Sequence, residues 1–253
     1  MYTTDTKRKL VSAFFALLLL PGFGVGAAND QKNDNKAVGT AVIKKYLEAI
    51  QGHDHELRGV SMQVDISATV PKLKEKGHLR ALRQISKVGQ ITYHVLGFQG
   101  DNTVKSQVIA RYLEAEKQGQ GVGKLDITPA NYKFKFKGKW QFDGKDAYLF
   151  QLSPRAKRVG LFKGEIWLDG ATYLPIYEKG RLVKNPSIFF KRVVFERAFT
   201  IENGVAVPRY MVSAIDTRVI GKVEITINYS NLEQNAGPDA EQAQSAALPG
   251  IAK

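Results

Sequence analysis

The sequence predicts an α+β fold: a large antiparallel sheet with two helices laid against one face. Apolar residues recur at helical spacing in only two long stretches of the mature region, near 38–50 and 103–118. Most of the remainder alternates apolar and polar residues with a period of two, the signature of strands wet on one side. These strands follow one another without helices between them, so no βαβ alternation exists, which argues against Rossmann- and TIM-type folds.

Lys7, Arg8 and Lys9 precede an uncharged run from Leu10 to Leu20, which is the length of a signal-peptide core and short for a membrane span. Pro21 and Gly22 break that run, and Gly26, Ala27 and Ala28 supply the small residues of a cleavage site. The sequence therefore predicts an export signal over 1–28, cut after Ala28, and a periplasmic protein. The chain contains no cysteine, which excludes disulfides, thiolate metal sites, a Cys nucleophile and a lipid-modified N-terminal Cys. Its net charge is +13. Removing residues 1–28, with Asp5, Lys7, Arg8 and Lys9, leaves +11. Outside the cytoplasm such a surface meets anionic lipid headgroups, envelope polyanions or an acidic protein rather than nucleic acid.

Residues 29–36 (NDQKNDNK) read as a flexible lead-in, and 37–231 as one folded domain. Val38, Ala41, Val42, Leu47, Ala49 and Ile50 give the first helix, ended near Gly52. Val60, Met62, Val64, Ile66 and Ala68 then alternate with polar residues up to Pro71. Strands at His78–Ser86 and Gln90–Phe98 follow. The second helix, Thr103–Gln118, buries Val104, Val108, Ile109, Tyr112 and Leu113, and the Gly-rich link Gly119–Gly123 ends it. In Tyr132–Phe142 the aromatic residues Tyr132, Phe134, Phe136, Trp140 and Phe142 share one face and Lys133, Lys135, Lys137 and Lys139 the other. Further strands fall at 147–152, 164–168, 173–178, 188–201, 206–213 and 219–229. Turns are predicted at Asp143-Gly144, Asp169-Gly170, Lys179-Gly180 and Asn203-Gly204. Beyond Asn231 the composition collapses to Gln, Ala, Gly and Pro, so 232–253 reads as a disordered tail.

Catalytic signatures are sparse. His53-x-His55 sits in a polar turn without further ligands, so no metal site is assigned. No G-x-S-x-G elbow, H-E-x-x-H or P-loop occurs, and neither a catalytic residue nor a cofactor is expected. Two features stand out. The strands from Tyr132 to Tyr229 are dense in Phe and Tyr, which fits either an ordinary core or the wall of a cavity. The lysine comb 133/135/137/139 fits either a solvated strand face or a basic docking face.

At Gly160–Pro175 the chain reads GLFKGEIWLDGATYLP. The W-L-D run followed by T-Y-L-P, carried by Trp167, Asp169, Leu174 and Pro175, resembles the recurring hairpin of the LolA/LolB-like superfamily, which includes outer-membrane lipoprotein-sorting proteins and RseB-like sensors. The resemblance implies an unclosed, strongly curved β-barrel whose concave, apolar side is covered by helices and receives acyl chains. It implies a soluble, monomeric periplasmic carrier of a lipid or lipoprotein or, alternatively, a lipid sensor that contacts an inner- or outer-membrane protein. On this reading the candidate cavity-lining residues are Phe134, Phe136, Trp140, Phe150, Trp167, Phe189, Phe195, Phe199 and Tyr210. The lysine comb is the candidate docking face.

Overall fold

In the computed structural model, residues 27–51, 57–118, 125–186 and 188–234 are described. The export-signal core at Leu10–Leu20, His53-x-His55, the Gly119–Gly123 link and residues 235–253 lie outside them. Helix α1 (Ala27–Ile50) leads into β1 (Val60–Val70), β2 (Glu75–Ile85) and β3 (Ile91–Gly100). A π-helical segment, Val104–Ile109, runs directly into α2 (Ala110–Gln118). Seven strands complete the chain: β4 (Tyr132–Phe142), β5 (Lys145–Pro154), β6 (Phe162–Asp169), β7 (Pro175–Leu182), β8 (Phe190–Glu202), β9 (Val205–Thr217) and β10 (Lys222–Gln234).

All ten strands form one antiparallel sheet in the order β3-β2-β1-β10-β9-β8-β7-β6-β5-β4. The only neighbours not consecutive in sequence are β1 and β10, where the chain returns to lie beside its first strand. Strands β3 and β4 are the two edges and do not pair, so the barrel is open as expected. Both helices cover the same, inner face. On that face Met62, Val64, Ile66 and Ala68 of β1 alternate with outward polar residues and meet Val223, Ile225 and Ile227 of β10. Val104, Val108 and Ile109 close this half of the core from above.

The other half lies under α1. Val42 and Tyr46 pack on Tyr132, Phe150, Phe162 and Ile166. The close approach of α1 needs glycine, since a Cβ on Gly39 would sit 2.7 Å from Cβ of Phe136. Lys45 Nζ donates to the Tyr173 hydroxyl at 3.0 Å and ties the same helix to the β6–β7 turn.

Four expectations change. The helix begins at Ala27 and so takes in 29–36, where the composition suggests a mobile lead-in. Those residues contain neither Gly nor Pro, so a helix anchored by Val42 and Tyr46 extends back through them. Lys179-Gly180 is not a turn but lies within β7, directly opposite Gly164 and Glu165. Gly180 is there for space, because a Cβ would lie 2.4 Å from Cδ2 of the Phe162 ring. The chain leaves β7 only after Leu182, and the strand expected from 219 starts at Lys222, after a tight β9–β10 connection at 218–221 where Gly221 has φ +84° and its carbonyl accepts from Thr217 Oγ1 at 2.7 Å. Strand β10 also runs to Gln234, three residues into the segment 232–253.

The fourth change concerns β4, whose alternation looks unbroken in sequence. Phe136 lies opposite Phe150, but Gly138 lies opposite Leu149, so Lys137 is a bulge and the faces exchange beyond it. Gly138 permits this with φ +115°. Tyr132, Phe134 and Phe136 face the helices, whereas Trp140 and Phe142 face out.

Candidate functional site

Between α2 and the inner faces of β7 to β10 the packing leaves an apolar cavity of about 360 Å³. Leu182, Phe190, Val193 and Ile215 form its floor, and Val108 and Tyr112 its roof. Leu125, Val159 and Gly160 close one side, and Pro186 and Ile220 stand at the strand ends. This volume falls in the lower part of the range of small-ligand pockets.

Local sequence explains why the roof stands off the sheet here. The N–H of Ala110 donates to the Lys105 carbonyl, five residues back, so the helix is wider before α2 begins. Val104, Val108 and Ile109 are all buried by that wider turn, and Gln107 and Val108 also reach the cavity. Such π-helical segments are frequent at functional sites.

One border of the cavity is polar. Glu116 of α2 reaches down to Arg83 of β2, with Arg83 Nη2 3.0 Å from Glu116 Oε1. Arg83 Nε donates to the Tyr93 hydroxyl at 3.2 Å, and that hydroxyl donates to the second oxygen of Glu116. Burial alone would push the Arg83 pKa down, but the charge of Glu116 and the Tyr93 contact more than offset it and the pKa is raised. Burial pushes Tyr112 well above its ordinary value and Tyr229 up to about 12, so both hydroxyls stay neutral. Further along the groove Arg197 Nε lies 2.5 Å from Glu178, a carboxylate almost fully buried. The inner face therefore has an apolar end under α2 and a neutralised ionic strip beside it.

The nine candidate cavity residues are distributed differently, and none lines this cavity. Phe134, Phe136 and Phe150 pack together under α1, with Phe136–Phe150 ring centres 5.1 Å apart. Phe195 stands edge-on to Phe162 at 5.0 Å in the same core. Trp140 and Trp167 meet on the outer face at 6.5 Å, where Trp140 is half exposed. Tyr210 is outside as well, paired with the outward Ala198. Phe199 is half-buried; its register opposite Pro208 puts it on the inward side of β8. Phe189 lies in the β7–β8 connection, under the Arg111 guanidinium at 5.3 Å and next to the lining residue Phe190. What sequence reasoning missed is aliphatic: Leu182, Val193, Ile215 and Val223 look like ordinary core, and only the space above them distinguishes them.

The lysine comb is split by the β4 bulge. Lys133 and Lys135 face outward, while Lys139 is turned to the Tyr148 side and bonds Asp146 at 2.5 Å. Among the described residues no group of three acidic or histidine side chains could hold a metal ion, and no helix is long and apolar enough to cross a membrane.

Fold and site together define an open antiparallel half-barrel with a helix-covered apolar cavity. In structure the chain is similar to a DUF1329 family protein from Desulfovibrio piger, with TM-score 0.43 and 14% identity over 83% of this chain and 99% of that one. It is similar to a LolA superfamily protein from Nitrosomonas europaea, with TM-score 0.38 and 14% identity over 80% and 96% of the two chains. It is also similar to MucB, with TM-score 0.28 and 14% identity over 76% and 94%. No protein-family model and no curated protein matches the sequence.

Proposed function

We propose that this protein is a periplasmic carrier that binds the acyl chains of a lipid or lipoprotein in the cavity under α2. The observation that carries the reading is the cavity itself: about 360 Å³ walled by Leu, Val, Ile and Phe, with its one carboxylate, Glu116, already paired to Arg83. The lining is mostly aliphatic, with Gln107, Ser213 and Thr217 among its few other polar side chains, and each methylene moved into it from water gains about 0.8 kcal/mol. That gain grows with every added carbon yet leaves no covalent bond to break, which suits a carrier that must also release its cargo. The export signal read at residues 1–28 supplies the compartment, and a freely diffusing monomer is the form a carrier requires.

The test is binding of a fluorescent fatty acid, together with native mass spectrometry of protein purified from the periplasm. Val193→Phe and Ile215→Phe project a ring into the cavity and should each lower fatty-acid binding about tenfold or more. Circular dichroism checks that the variants fold. Retained binding in both folded variants would sink the reading. An empty protein that captures an inner-membrane protein would favour the sensor instead.

A further inference from the structure

We infer that the loops around the cavity mouth form a membrane-docking surface that seats on an anionic bilayer, with Ile188 and Val219 entering the headgroup region. The meander places four connections at one end of the sheet, whose described residues are 71–74, 155–161, 183–186 with 188–189, and 218–221. They touch in series. Val183 N donates to the Leu161 carbonyl at 3.0 Å, and Arg218 N donates to the Phe189 carbonyl at 2.9 Å. Arg218 Nε bonds the Ile188 carbonyl at 2.8 Å. A Cβ on Gly221 would lie 3.3 Å from Lys72 Cδ. Three of the four loops also supply cavity-lining residues: Val159 and Gly160, Pro186, and Ile220.

The exposed side chains of this rim combine two properties. Ile188 is 80% exposed and Val219 70%, with Leu73 and Val159 beside them at 42% and 41%. Single exposed aliphatic side chains occur elsewhere on this surface, at Val88 for instance, but four at neighbouring loop tips form a patch of the kind that marks an interaction site. Between them stand Lys72, Lys74, Arg155, Lys157, Arg158, Lys184 and Arg218, and these four loops contain no Asp or Glu. Among the described residues Lys72, Lys74, Lys157 and Lys184 form no ion pair. The hairpin turns at the opposite end carry the polar pairs Asp143-Gly144 and Asn203-Gly204 and, among the described residues, a single large exposed aliphatic tip, Val88 at 72%.

Protruding aliphatic tips set in a predominantly basic rim, with Asp101 beside Lys76 at its edge, match a lipid interface, where tips enter the acyl boundary and cations meet phosphate. A folded protein partner would be expected to fill a groove, and these tips stand out from the surface. Docking in this pose would turn the cavity mouth toward the lipid. The inference does not depend on acyl binding in the cavity, since an empty cavity leaves the rim unchanged.

Co-sedimentation with phosphatidylethanolamine–phosphatidylglycerol vesicles tests it, with phosphatidylcholine vesicles as the neutral comparison. Because Leu10–Leu20 would itself partition into lipid, the protein is produced by secretion and its N-terminus read by mass spectrometry. The wild type should bind the anionic vesicles and lose binding as salt is raised. Ile188→Asp with Val219→Asp, and separately Lys157→Glu with Lys184→Glu, should each weaken binding about tenfold. Lys133→Glu with Lys135→Glu, on the outer face of β4, should leave it unchanged. All of these side chains are exposed, so folding is retained, which thermal melting verifies. The rim variants should still take up the fluorescent fatty acid, and Val193→Phe should still dock, which separates this inference from the carrier reading. A wild type that ignores anionic vesicles overturns it, and so does equal weakening by the β4 control. Lipid-free capture of a protein through the same residues would also overturn it.

Discussion

Arg83 of β2 and Glu116 of α2 form an ion pair at 3.0 Å that joins the sheet to the helix roofing the cavity, with Tyr93 bonded to both. Their side chains are 11% and 23% exposed, so removing one partner strands a largely desolvated charge. Glu116→Ala should therefore cost about 3 kcal/mol in urea unfolding. The double variant Arg83→Met/Glu116→Leu should cost clearly less than the sum of its two singles, because no unpaired charge remains. Additive losses would show that the pair is not coupled.

Gly164 and Gly180 face each other across β6 and β7. A Cβ at Gly180 would lie 2.4 Å from the Phe162 ring and 2.9 Å from the Lys163 carbonyl, and one at Gly164 would lie 2.0 Å from the Lys179 carbonyl. Gly204 is the control: its φ is +79°, but nothing lies within 4 Å of a Cβ there. Gly204→Ala should cost about 1 kcal/mol, from backbone strain alone. Gly164→Ala should cost more than about 3 kcal/mol, since a backbone carbonyl must move. Equal losses would mean that the strands separate easily.

The turns that were legible in sequence show why others were not. At Asp143-Gly144 and Asn203-Gly204 both residues have positive φ, between 48° and 79°, so residue chemistry and backbone geometry specify the same two-residue hairpin. Lys179-Gly180 has similar composition, but its glycine answers a packing need set by Phe162, which lies seventeen residues before Lys179 and is remote in local pattern. The β4 bulge escaped for a related reason. Aromatic and basic residues continue to alternate through Gly138, so the pattern cannot show that the faces have exchanged. Helix and strand order depended on local periodicity and could be read. The cavity depends on a π-helical turn standing above aliphatic residues, and residue types alone do not distinguish a wall from a core.

The exchange of faces in β4 can be tested by comparing two aromatic truncations. Phe150 is fully buried between Phe134 and Phe136, whereas Trp140 is 52% exposed on the outer face. Phe150→Ala should destabilise by about 4 kcal/mol, and Trp140→Ala by less than about 1.5 kcal/mol. Neither side chain lines the cavity, so Trp140→Ala should leave fatty-acid uptake at the wild-type level. A loss of uptake there would restore the outer face as the binding surface.

Asp169 closes the β6–β7 turn and makes stability depend on pH in a defined direction. Its Oδ1 accepts from Thr172 N at 2.7 Å, from Thr172 Oγ1 at 2.8 Å and from Ala171 N at 3.1 Å. Burial would raise its pKa, but the hydrogen bonds from Thr172 and Ala171, with the charge of Lys145, outweigh it and hold the carboxyl below the ordinary 3.8. A carboxyl with a depressed folded pKa binds protons more readily when unfolded, so its contribution is complete above the unfolded value and is lost as pH falls through the folded one. The stability gap between wild type and Asp169→Asn should therefore be constant at neutral pH and close below the ordinary aspartate range. Thermal melts across that acid range check it. A gap that widens on acidification would show that the turn is held by something other than the ionised carboxylate.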